Sequence, residues 1–81
     1  MNRASERRKM ESQHLMEADW NIAEITRCIS VAERAVALQS KAGVDTSAGT
    51  QLVETLRQTK LVLETVRAGI EDELKRHNEP V

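Results

Sequence analysis

The sequence predicts an all-α protein: an antiparallel, coiled-coil-like two-helix hairpin, completed to a four-helix bundle by dimerisation. Three observations carry this. Two long stretches place apolar residues every three or four positions, without a proline inside either. Between them, "KAGVDTSAGT" holds the chemistry of one helix stop and one helix start. Folded at Val44, the two apolar seams meet layer by layer.

The first helix is expected over residues 5–42. Leu15, Ala18, Ile22, Ile25, Ile29, Ala32 and Val36 follow alternating spacings of three and four, a heptad seam. Ser5 can cap its start. At ~1.5 Å per residue such a helix is about 55 Å long. Gly43 can adopt the left-handed conformation that ends a helix, with Val44 folding back onto Leu38. Residues 43–45 form the turn, and Asp45 supplies a side-chain oxygen to the free N–H groups of the second helix. A phosphate cradle is the alternative for this glycine-flanked stretch. It lacks P-loop spacing, and the Asp45 carboxylate would repel phosphate.

The second helix is expected over residues 46–77, with Leu52, Leu56, Thr59, Leu63, Val66, Ile70 and Leu74 as its seam. His77, Asn78 and Pro80 end it, and residues 1–4 and 78–81 are expected to fray. Folding at Val44 sets Val36 against Leu52, Ala32 against Leu56, Ile29 against Thr59, Ile25 against Leu63, Ile22 against Val66 and Ala18 against Ile70. Gly69 either admits another backbone or is tolerated at a cost of ~1 kcal/mol against alanine.

Composition bounds what this single domain, residues 1–81, can do. Twelve basic and thirteen acidic side chains nearly cancel, which does not point to nucleic acid or an anionic membrane. The longest apolar run, Ala35–Leu38, is far too short to span a bilayer, and the charged N-terminal stretch has no apolar segment behind it. A single cysteine, Cys28, forbids an internal disulfide, and a cytoplasmic location is expected. No nucleophile–base constellation is present. A metal site drawn from Glu11, His14, Glu73 and His77 lacks the paired helical spacing of a dedicated centre. No catalytic residue, cofactor or metal ligand is therefore assigned.

Two helices without Phe or Tyr bury little, so the hairpin is expected to self-associate or to lend its surface to another protein. The candidate interaction residues are Met16, Trp20 and Ala23 on the back of helix one, Arg27 and Arg34 on its outer face, and Leu61 on helix two. Cys28 and Ala35, small and beside the seam, allow a further helix to come close. Arg27, Arg34 and Lys41 recur every seven residues and Arg3, Arg7, Arg8 and Lys9 cluster at the start; they support the alternative of a module binding phosphate-bearing ligands, a nucleic acid or nucleotide. Glu24 and Glu33 nearby and the lack of an aromatic series count against it.

Taken together, "HLMEADWNIAEITRCIS" and "KAGVDTSAGTQLVETLRQTKLVLETVRAGIEDEL" resemble a group of small proteobacterial helical-hairpin proteins with no assigned activity. The shared pieces are a His-Leu start, Ile-Ala on helix one, the Gly43-Val44-Asp45-Thr46 turn and a Leu-rich second helix ending Ile-x-x-Glu-Leu. The glutamine-rich middle of helix one is replaced here by "VAERAVALQS". The resemblance implies a hairpin and supplies no catalytic residue. The expected function is a non-enzymatic interaction, scaffold or regulatory module.

Overall fold

The computed structural model describes residues 3–78, with no description of the Ala4, His77 and Asn78 side chains. It holds two helices, α1 (Arg3–Lys41) and α2 (Ser47–Asn78), packed along their length as a hairpin 63 Å long and 17 Å wide. The expected spans shift slightly. Arg3, Ala4 and Asn78, expected to fray, are helical, while Met1, Asn2 and residues 79–81 lie outside the described residues.

The turn is built as its chemistry requires. Gly43 takes φ +74°. The Val44 N–H donates to the Gln39 carbonyl at 2.9 Å and the Gly43 N–H to the Ser40 carbonyl at 3.1 Å, the two bonds of a Schellman stop. Leu38 and Val44 both stay more than half exposed, so the expected apolar clasp contributes little. Asp45 then accepts from the Ser47 N–H at 3.0 Å and the Ser47 hydroxyl at 2.7 Å. Thr46 supplies the first helical carbonyl, to Thr50 at 2.8 Å. The carboxylate thus sits one residue outside the helix and satisfies an otherwise orphaned donor.

On α1 the seam is the one read from the sequence. Every member from Leu15 to Val36 is covered, with Ala18 and Ile29 at 6% and 8% exposure. On α2 the seam is corrected. Leu52 and Val66 are 52% and 51% exposed and Thr59 is exposed too. The covered positions are Gly49, Val53, Leu56, Lys60, Leu63, Arg67, Ile70 and Leu74, an unbroken heptad spacing.

A close approach fixes the register: a Cβ built on Gly49 would lie 2.8 Å from a Val36 methyl. Val36 therefore packs on Gly49, where the mirror about Val44 set it against Leu52. The pairings that used Leu52, Thr59 and Val66 are not kept, because those three side chains are exposed. A rule based on apolar side chains alone chose Leu52 and Val66 because the true seam holds a glycine and two long cations. Lys60 and Arg67 can lay apolar stems across the seam and carry their charges to its edge.

Candidate interaction surface

A heptad seam has two flanking edges, and here they differ. One edge carries Asp19, Thr26 and Glu33 of α1 beside Arg57, Glu64 and Glu71 of α2. Glu33 accepts from Arg57 Nη2 at 2.6 Å, across the hairpin. Arg67 leaves the seam toward this edge and bridges both helices, donating from Nε to Asp19 and from Nη1 to Glu71, the latter at 2.6 Å. The Asp19 bond, with its attraction, raises the Arg67 pKa above its ordinary value, and Glu71 adds to this. This edge is laced by charge.

The opposite edge carries Asn21, Cys28 and Ala35 of α1 beside Leu52, Thr59 and Val66 of α2. Cys28, Ala35 and Leu52 line an open groove together with Val31, Ala32 and Leu56. Glu24 and Arg27 border that groove and pair with each other. The hydroxyls on this side are turned inward: Thr59 donates to the Thr55 carbonyl and Thr55 to the Gln51 carbonyl, both at 3.0 Å. What the pair presents outward is therefore largely methyl. With Val31, Val62, Leu52 and Val66 all at least half exposed, this edge is an apolar strip with the Glu24–Arg27 pair at its border.

The residues singled out in the sequence fall into separate places. Met16 and Trp20, 72% and 65% exposed, share a shallow polar-rimmed hollow with Gln13, Glu17 and Asn21 on α1 alone. Ala23 is exposed on the same helix. Leu61 lies across the molecule, on the charged edge beside Ile29, Glu33 and Lys60. Arg27 is engaged by Glu24, and Arg34 is exposed. The structure does not bring these six together. The strip that it does assemble includes Leu52, Thr59 and Val66, which the sequence reading had placed inside the seam.

Cys28 is a free, exposed thiol. Among the described residues no three His, Cys, Asp or Glu side chains converge as metal ligands, and the His77 side chain drawn into such a site lies outside them. Nor, among those residues, is any helix long and apolar enough to cross a membrane. Asp45 has its pKa lowered, first by the Ser47 hydroxyl and then by the Ser47 N–H, the two bonds that cap the start of α2. No protein-family model, curated protein or solved structure matches the chain.

Proposed function

We propose that this protein is a non-enzymatic interaction module that works through the faces of its helical hairpin, as a self-associating scaffold or regulatory unit. One observation carries the reading. Among the described residues only Ala18, Ile29 and Val53 are nearly buried and no large side chain is fully so, while ten large apolar residues are at least half exposed. A hairpin of this size rests on a half-made core, and such scaffolds ordinarily need oligomerisation or another staple to be stable. Covering one face would complete it.

The basic face of α1 is the weaker candidate, because Arg27 is neutralised by Glu24. Sedimentation velocity over a concentration series, with helicity followed by circular dichroism, tests the reading. The expected result is a reversible oligomer whose helix content falls on dilution. A monomer that keeps full helicity when dilute would overturn self-association.

A further inference from the structure

We infer that the uncharged edge of the seam is the contact between two copies of this chain, stacked with their turns at opposite ends. This rests on the self-association proposed above and adds the face and the orientation.

The choice of face follows from what each would cost to cover. On the charged edge, burial would strip water from Glu33, Arg57, Asp19, Arg67 and Glu71, whose pairing is only partial compensation. On the other edge the threonine hydroxyls are already bonded to their own helix, and the alanine and cysteine let a second backbone approach closely. A partner for such a strip must itself be apolar and nearly free of charge at its centre. A second copy offers that same strip, self-complementary about a two-fold axis.

Orientation follows from the charges at the rim. If the two-fold axis crosses α1 near Ile29, perpendicular to the helices and within the contact plane, α1 lies antiparallel to its copy. Glu24, counted five residues to one side of Ile29, then stands level with Arg34 of the second copy, five to the other, and the pairing occurs twice. With both turns at the same end, α1 would face α2 of the copy. Glu24 and Arg34 would then face α2 of the copy and not each other.

The area suffices. In the opposed arrangement the copies overlap from the turn to about Met16, roughly 40 Å at ~1.5 Å per residue. Over the width of 17 Å this comes to roughly 1,300 Å² in outline for both copies, within the range of specific interfaces.

The same axis sets the two Cys28 thiols nearly opposite each other, which gives a test needing no substitution. Treated with a short bismaleimide, the full chain should yield a covalent dimer in high yield, necessarily through Cys28 of each copy because the chain has one cysteine. In sedimentation, Ala35→Glu should weaken association at least tenfold, and Leu61→Glu, on the charged edge, should leave it unchanged. Should Ala35→Glu fold poorly, charge exchange decides: Glu24→Arg alone and Arg34→Glu alone should each weaken the dimer, and the two together should restore it.

A dimer whose cysteines do not crosslink, or which Leu61→Glu breaks and Ala35→Glu spares, would overturn the face while leaving self-association standing. A concentration-independent, fully helical monomer would overturn both, and would mean that the strip serves a different protein.

Discussion

The two edges of the seam differ in the polar atoms they carry. On the charged edge, Glu33 reaches Arg57 and Asp19 reaches Arg67, so acids and bases from different helices find each other within one chain. On the other, Thr55 and Thr59 turn their hydroxyls back on their own helix and leave Leu52, Val62 and Val66 to solvent. The first arrangement adds little net stability, because the pairs stay hydrated, but it penalises a slip of one helix along the other. The second carries no register information within the chain and offers apolar area outside it. The chain divides its labour: one edge tells α2 where to lie on α1, and the other is left to be covered.

The seam that both edges share should dominate any measurement. Ile29 is one of its few nearly buried residues. Ile29→Ala is expected to cost about 2–5 kcal/mol, the range for deleting a buried branched side chain. Denaturant titration at fixed protein concentration should report it, and the helix signal should be largely lost at room temperature. A loss well below 1 kcal/mol would mean that the seam is not where the stability lies, and the contrast between its edges would lose its meaning.

Two glycines sharpen the distinction between seam and edge, because the same substitution should act with opposite sign. In the seam, a methyl on Gly49 would come 2.8 Å from Val36 and 3.4 Å from the Gln39 side-chain oxygen. Overpacking of that kind costs about 1–3 kcal/mol and outweighs the ~1 kcal/mol that alanine contributes to a helix. At Gly69, beside Val66 and away from the seam, a methyl would meet nothing within 4 Å. Gly69→Ala should therefore raise stability by about 1 kcal/mol. If Gly49→Ala were the more stable variant, the close packing of Gly49 on Val36 would be wrong.

Those glycines also show how far the sequence could be read. The α1 seam was fully legible because all seven of its positions are Leu, Ile, Val or Ala. The turn was legible because Gly43 and Asp45 each have one dominant local use, and both are put to it. The α2 seam was legible at Leu56, Leu63, Ile70 and Leu74, and not at its other positions. Gly49, Lys60 and Arg67 give no apolar signal, and Leu52 and Val66 gave a false one from the edge beside it. The heptad spacing of Val53, Leu56, Leu63, Ile70 and Leu74 was present as a cue; it required accepting two cations as seam residues. The candidate surface inherited that error, since residues assigned to the interior were unavailable for the outside.

The charged edge should respond weakly and in a salt-dependent way. Glu33 and Arg57 are 47% and 61% exposed in their side chains. A double-mutant cycle of Glu33→Ala and Arg57→Ala should give a coupling of about 0.2–1 kcal/mol at low salt. Raising the ionic strength should diminish it, since exposed charges are screened within about 10 Å at 0.1 M. Coupling that persisted unchanged at high salt would make this edge a buried interface, and the face assigned to the second copy would have to be exchanged.

The smallest effect is expected from a group that belongs to neither edge. Asp45 sits at the turn, and its bonds from the Ser47 hydroxyl and N–H hold its carboxyl below the ordinary aspartate range. A carboxylate whose folded pKa is depressed contributes stability that is fully present above its unfolded value, ~3.9. That contribution is lost as the pH falls through the folded value. Asp45→Asn keeps a capping oxygen but no titrating charge. The melting temperatures of the two proteins should therefore differ slightly and constantly from neutrality down to about pH 4, and the gap should close below it. Because Asp45 stands outside the strip, the variant should sediment as the native chain does. A gap that does not change with pH would remove the charge from the capping argument and leave only the hydrogen bonds. A change in assembly would tie the turn to the contact between copies, where the opposed stacking does not allow it a direct part.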